Sequence, residues 1–199
     1  MEKIRSIDNI KALQAGEVAI WGADVSEMMD EIDSLMGILS AAERKKAERL
    51  KDEMARRICV VARGGLRVLL GAYIKQNPSQ VIFDQQFGGK PTLESGEMSF
   101  NLSHSGDWVV WAFATSGEVG VDLEQVRAHV LYERVAQRYF QPLEQQALSK
   151  AVDASRLFFD MWAAKEALVK ASGKGVFAAM KEVELPLMEG MVPHETVVG

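Results

Sequence analysis

Apolar residues recur at helical spacing over 26–39, where Met28, Met29, Ile32, Leu35, Met36 and Leu39 form one stripe and predict a helix. Ser40 has the form of an N-cap, and Glu43 three residues on completes a capping box. Helical periodicity then runs to about residue 75, in two pieces. Gly64-Gly65 inside it lowers the propensity and predicts close packing against a neighbour. Asn77-Pro78 ends the run, because the residue before proline disfavours helical geometry. Short apolar stretches at 81–83, 98–102, 108–114 and 119–123 predict strands, separated by turn-type clusters at 88–91, 103–107 and 115–117. Helical spacing returns over 131–139, 143–150 and 155–171, and 182–185 before Pro186 predicts a last strand. The tail 188–199 has little pattern. The order predicts an α+β protein of two unequal halves, joined near 115–117 with no long linker.

Composition narrows the class. The 199 residues, 48% hydrophobic and 26% charged, suit one domain or two small ones and bury a core without covalent staples. A single cysteine, Cys59, excludes an intrachain disulfide and favours a reducing compartment. The first residues have no apolar signal region and no stretch reaches membrane length, so a cytoplasmic protein is expected. The net charge of -5 argues against a general nucleic-acid binder. Arg44, Lys45, Lys46, Arg49, Arg63 and Arg67 nevertheless concentrate positive charge in one helical region. That region either serves a phosphorylated small molecule or is a solvated face balanced by Glu43, Glu48, Asp52 and Glu53.

Three segments carry candidate chemistry. In 119–124, Asp122 and Glu124 are two apart on a predicted strand and share a face. Adjacent carboxylates repel unless a cation lies between them, and a hard divalent ion with oxygen ligands resolves that repulsion. For six residues alone, a solvated strand face is the commoner outcome. In 162–175, Glu166 and Lys170 are helical neighbours, Trp162 lies one turn earlier, and Lys165 lies near the apolar stripe. A surface ion pair is the ordinary reading of Glu166 and Lys170. Gly173 after them resembles a C-cap, and the order of glycines and lysine is wrong for a Walker loop. In 100–108, His104 is expected in a polar turn flanked by Ser103 and Ser105, either donating to a phosphate or capping the turn. His129 and His194 have no ligand-like spacing with it, which argues against zinc.

Four stretches, Gly89-Lys90-Pro91, Phe100-Asn101-Leu102-Ser103-His104-Ser105, Gly120-Val121-Asp122-Leu123-Glu124 and Trp162 with Lys165-Glu166 through Gly175, occur in an order and spacing that resembles the 4′-phosphopantetheinyl transferases of the surfactin-synthetase-activating type. The resemblance covers 39–175. It implies two pseudo-symmetric halves, 1–115 and 116–199, each a small antiparallel sheet packed with helices, with coenzyme A in the cleft between them. It also implies transfer of phosphopantetheine from coenzyme A to a serine of an apo acyl or peptidyl carrier protein. Asp122, Glu124 and Glu166 would hold magnesium, or manganese in its place. Glu166 would be the base, and Lys170 would stabilise the diphosphate and the departing 3′,5′-ADP. Lys90, Ser103 and His104 would contact the nucleotide and its phosphates, and Lys46 and Arg63 the 3′-phosphate. The region 126–140 would help dock the carrier, with Tyr132, Val135, Tyr139 and Phe140 as anchors or, more commonly for such residues, core. A monomer is implied; the family usually continues with further C-terminal strands, and this sequence departs from it by ending at Gly199. Two rival readings remain: a magnesium-dependent phosphohydrolase or nucleotidyl transferase using the same carboxylates, and a non-catalytic module binding coenzyme A or a carrier.

Overall fold

The computed structural model describes residues 10–84, 90–127, 131–173 and 180–186, together with the backbone of 2–3. The expected turn at Gly88-Gly89, His129, His194, Lys174, Gly175 and the tail from 188 lie outside the described residues.

The chain is α+β, with small sheets packed against helices. A four-stranded sheet has the order β1 (Glu2–Lys3), β2 (Val18–Asp24), β6 (Trp108–Ala114), β5 (Ser99–Ser105), and β3 (Phe83–Asp84) pairs with β4 (Thr92–Leu93) in a second sheet. The β1–β2 pair is parallel and the other pairs are antiparallel. The helices are α1 (Ile32–Ile38), α2 (Ala41–Glu48), α3 (Glu53–Ile74), α4 (Tyr132–Tyr139), α5 (Pro142–Lys150) and α6 (Ala154–Ser172). None of the described helices is long and apolar enough to cross a membrane.

The first core forms where α3 lies on the sheet. Val60, Val61, Leu66, Leu69 and Leu70 of α3 are wholly buried with Trp111 and Phe113 of β6. Burial on that scale, at about 25 cal/mol per Å² of apolar surface, is the main force holding helix to sheet. Two indole N–H groups complete the seam: Trp111 donates to the Ala62 carbonyl at 2.9 Å and Trp21 to the Tyr73 hydroxyl at 2.9 Å. The predicted capping box is present, with Glu43 N–H donating to Ser40 Oγ at 3.3 Å and Ser40 N–H to Glu43 Oε2 at 2.9 Å. Glu43 also pairs with the buried Arg67 at 2.7 Å, which fixes α2 against α3. The role expected of Gly64 holds: a Cβ there would lie 2.8 Å from Leu35 Cβ, so its absence lets α1 reach α3.

Three sequence expectations change, and one strand was not expected. The helix over 26–39 is two single 3₁₀ turns, Val25–Glu27 and Met29–Glu31, followed by the short α1. Asp24 starts this run early by accepting from Ser26 N–H at 2.9 Å. The sequence pattern did not reveal β2, because its burial does not alternate: Trp21, Gly22 and Ala23 are buried in succession while Val18 and Ile20 are exposed. The run 119–123 is extended but forms no main-chain ladder, and 182–185 is not a strand. In the latter, the Leu185 N–H and Val183 carbonyl are taken by a buried ion pair, Glu144 with Lys165.

A second core joins α4, α5 and α6 through Phe140, Phe158 and Trp162, whose rings stack. Tyr132, Val135, Tyr139 and Phe140 all pack here and serve the core. Gly173 at φ 68 closes α6, as the C-cap reading expected.

Candidate metal and nucleotide site

The site lies where β5, the extended run 119–125 and α6 meet. His104 is not in a turn. β5 extends through Ser105, His104 pairs with Val109, and the connection is the two residues Gly106-Asp107, with Gly106 at φ 57. A positive φ at the first central position suits the tight hairpin turn that strand twist prefers. Ser103 and Ser105, which resembled part of a turn, share one face of the strand with Ser99 and Asn101, while His104 shares the other with Phe100 and Leu102.

That polar face receives 119–125. Val119 N–H donates to Ser99 Oγ at 3.1 Å, Val121 N–H to Asn101 Oδ1 at 3.0 Å, and Gln125 N–H to Ser105 Oγ at 3.0 Å. The period-2 geometry expected of 119–124 therefore exists, fixed by side-chain acceptors in place of a main-chain ladder. Asp122 and Glu124 project together, and α6 brings Glu166 to them: one carboxylate oxygen from each lies within 4.8 Å of the others.

Lys170 binds this group from one side. Its Nζ pairs with Asp122 Oδ1, donates to Ser103 Oγ at 3.1 Å, and lies 3.8 Å from Glu166 Oε2. Ser103 Oγ in turn donates to Asp122 Oδ1 at 2.8 Å. The other oxygen, Asp122 Oδ2, is buried without a hydrogen-bond partner among the described residues. Burial first, and then the charge of Asp122, push the Glu124 and Glu166 carboxyls above the ordinary glutamate range. Lys170 pulls both part of the way back, and a hydrogen bond from Trp162 does so further. Three carboxylates with one lysine leave an excess of negative charge. A buried orphan oxygen within an all-oxygen donor set is what a hard divalent cation takes up. The residues fit such an ion.

The nucleotide candidates are arranged around it. His104 is exposed on one flank, and partial burial, followed by the charge of Lys170, holds its pKa below the ordinary histidine value. Lys46, exposed on α2, also acts on His104, so the basic helix faces this side. Arg63 is half-buried on α3, and no contact links it to the carboxylates among the described residues. The Lys90 ammonium is engaged with Glu118 Oε2 at 2.8 Å, the Val119 carbonyl at 2.6 Å and Ser99 Oγ at 3.4 Å. Beside it a cavity of about 190 Å³ is lined by Lys90, Thr92, Met98, Ser99 and Thr115.

Residues 118–198 match the family described as the 4′-phosphopantetheinyl transferase superfamily, and 26–116 match the family described as 4′-phosphopantetheinyl transferase, N-terminal. The 4′-phosphopantetheinyl transferase HetI of Nostoc sp. is 36% identical over 182 residues, covering 88% of this chain and 76% of the relative. This chain belongs to the 4′-phosphopantetheinyl transferase family. The transferase psf-1 of Bacillus pumilus is 32% identical, over 80% of this chain and 68% of the relative. The transferase Sfp of Bacillus subtilis is 29% identical, over 83% and 75%. The two family matches divide the chain into two halves, and the carboxylates and Lys170 all lie in the second.

Sequence reasoning did not identify Ser99, Asn101 and Ser105 as the support of the carboxylate segment. Alternation of polar with apolar residues over 99–103 was the available signal. It also did not pair Glu144 with Lys165, which needed the packing of α5 on α6.

Proposed function

We propose that the protein transfers the 4′-phosphopantetheine arm of coenzyme A to a serine hydroxyl of an apo acyl or peptidyl carrier protein, releasing 3′,5′-ADP. The observation that carries this reading is the convergence of Asp122, Glu124 and Glu166 beside Lys170, in a chain of this family. Asp122, Glu124 and Glu166 would hold magnesium, or manganese in its place. Bound there, the ion would neutralise the coenzyme A diphosphate and the charge that grows as its bond breaks.

The protein's own groups do the rest. The Glu166 side chain is 19% exposed against 3% for Asp122, so an incoming serine reaches Glu166 more readily than Asp122. It takes the serine proton as the serine oxygen bonds to phosphorus and the phosphorus–oxygen bond to 3′,5′-ADP breaks. Lys170 supplies positive charge to the diphosphate and to the departing nucleotide. Ser103 holds Asp122 and Lys170 in register. His104, Lys46, Lys90 and Arg63 bind the nucleotide and its phosphates, with Lys90 exchanging Glu118 for a phosphate oxygen. The halves 1–115 and 116–199 contribute the nucleotide contacts and the metal ligands respectively, and the protein works as a cytoplasmic monomer. The face around 126–140 meets the carrier, where Val126 and Leu131 are exposed.

Incubation with coenzyme A, magnesium and an apo carrier tests the reading by intact mass spectrometry. The carrier gains one phosphopantetheine, and EDTA prevents it. Release of phosphate from nucleotides with no gain on any apo carrier would overturn it.

A further inference from the structure

We infer that the segment 119–125 is set in place by a side-chain ladder from β5 and by the missing side chain of Gly120, which makes Ser99, Asn101, Ser105 and Gly120 positioning residues for the carboxylate cluster. The inference rests on the proposed cation site and identifies what holds its geometry.

The ladder has a constant offset. Residues 99, 101 and 105 accept from the N–H groups of 119, 121 and 125, each twenty positions later, so the segment runs parallel to β5. The rung expected between residues 103 and 123 is replaced: Ser103 turns its hydroxyl to the Asp122 carboxylate instead. The irregular rung is therefore the one at the site. A slip of one residue along an extended segment carries every side chain to the opposite face, which would turn Asp122 and Glu124 away from Glu166. Lys90 closes the entry to the ladder through Glu118 and the Val119 carbonyl.

On its other side the segment touches α6 backbone to backbone. A Cβ on Gly120 would lie 1.9 Å from the Ala167 carbonyl oxygen and 2.6 Å from Ala171 N. Ala167 and Ala171 directly follow Glu166 and Lys170, the two residues that α6 sends to Asp122. No side chain fits in that gap, so any substituent moves the helix away from the segment. The distance between ligands from the two elements is thus set by Gly120.

The test is Mn²⁺ binding by the full chain alone, read by electron paramagnetic resonance, with amide exchange at Val119, Val121 and Gln125 read by NMR. Supporting groups behind metal ligands typically contribute about tenfold or more to affinity. Asn101→Ala and the pair Ser99→Ala with Ser105→Ala weaken Mn²⁺ binding by about that factor and speed exchange at their own rungs. The pair Ser99→Thr with Ser105→Thr keeps both hydroxyls and stays near wild type. Gly120→Ala loses binding, and if it does not fold, the ladder variants decide the matter. Alanine variants that melt lower yet bind Mn²⁺ as wild type does would reduce the ladder to a stability element and overturn the inference. So would a threonine pair as weak as the alanine pair. A wild-type chain that binds no Mn²⁺ would instead refute the cation site itself.

Discussion

Replacing Glu166 by glutamine raises the thermal stability of the protein in EDTA and removes its stabilisation by magnesium. Without an ion, Glu166 faces two carboxylates whose oxygens lie within 4.8 Å and one ammonium at 3.8 Å. At that separation each repulsion is about 0.9 kcal/mol in bulk water and about 3.5 kcal/mol at an effective dielectric constant near 20, and the attraction is about 1.1 to 4.4 kcal/mol. Two repulsions against one attraction leave roughly 0.6–2.6 kcal/mol of net strain, which glutamine relieves while keeping the shape. In a chain of this size each kcal/mol shifts the melting temperature by about 2–4 °C, so a rise of roughly 1–10 °C is expected. The sign follows from the raised carboxyl of Glu166. An acid whose pKa rises on folding binds its proton more tightly in the native state. Stability is therefore lost as pH climbs from the ordinary glutamate value through the raised one, and the full penalty is present above it. Magnesium reverses the order: at a hundred times its dissociation constant it adds about 2.7 kcal/mol to the wild type. Differential scanning fluorimetry at neutral pH, in EDTA and over a magnesium series, reads both effects. A variant that melts below wild type in EDTA, or that gains as much from magnesium, would refute the reasoning.

Asp122→Ala abolishes phosphopantetheine transfer while circular dichroism reports an intact fold, and a wild-type rate would exclude Asp122 from the site. Lys165→Met strands the carboxylate of Glu144, both being wholly buried, and costs about 3–5 kcal/mol in urea unfolding. A loss below about 1 kcal/mol would mean that the pair is solvated. Because Glu124 and Glu166 hold protons above the ordinary carboxylate range, magnesium competes with protons there. Its dissociation constant, followed by thermal shift from pH 7 downward, rises before ordinary carboxylates titrate, and a flat profile across that interval would contradict the raised values.

The helices α3 to α6 were legible from apolar residues at helical spacing, and β6 from an unbroken apolar run: 108–114 and α6 lie within a residue of where the pattern put them. The capping box at Ser40 was legible because it is a local hydrogen-bond pattern. β2 was not, since small Ala and Gly residues break its apolar run and its buried stretch does not alternate with exposed Val18 and Ile20. The carboxylates of 119–124 were read correctly as sharing a face. Their convergence with Glu166 depends on Gly120 and the β5 ladder, contacts between segments some 20 to 50 positions apart that no local window contains. His104 was put in a turn because hydroxyls and histidine resemble one, although 103–105 are strand residues, with Ser103 and Ser105 on the docking face and His104 on the opposite one. Lys165 lay near an apolar stripe, yet its partner Glu144 came from another helix and resembled an ordinary surface residue.

The central claim is that Asp122, Glu124 and Glu166, from an extended segment and a distant helix, share one divalent cation. Crystals grown with manganese and coenzyme A test it most directly, through the anomalous difference map at the manganese edge. The account predicts one strong peak among the three carboxylates, within about 2.0–2.6 Å of an oxygen from each. A peak bound elsewhere, or Glu166 turned away from a peak held by Asp122 and Glu124 alone, would contradict it.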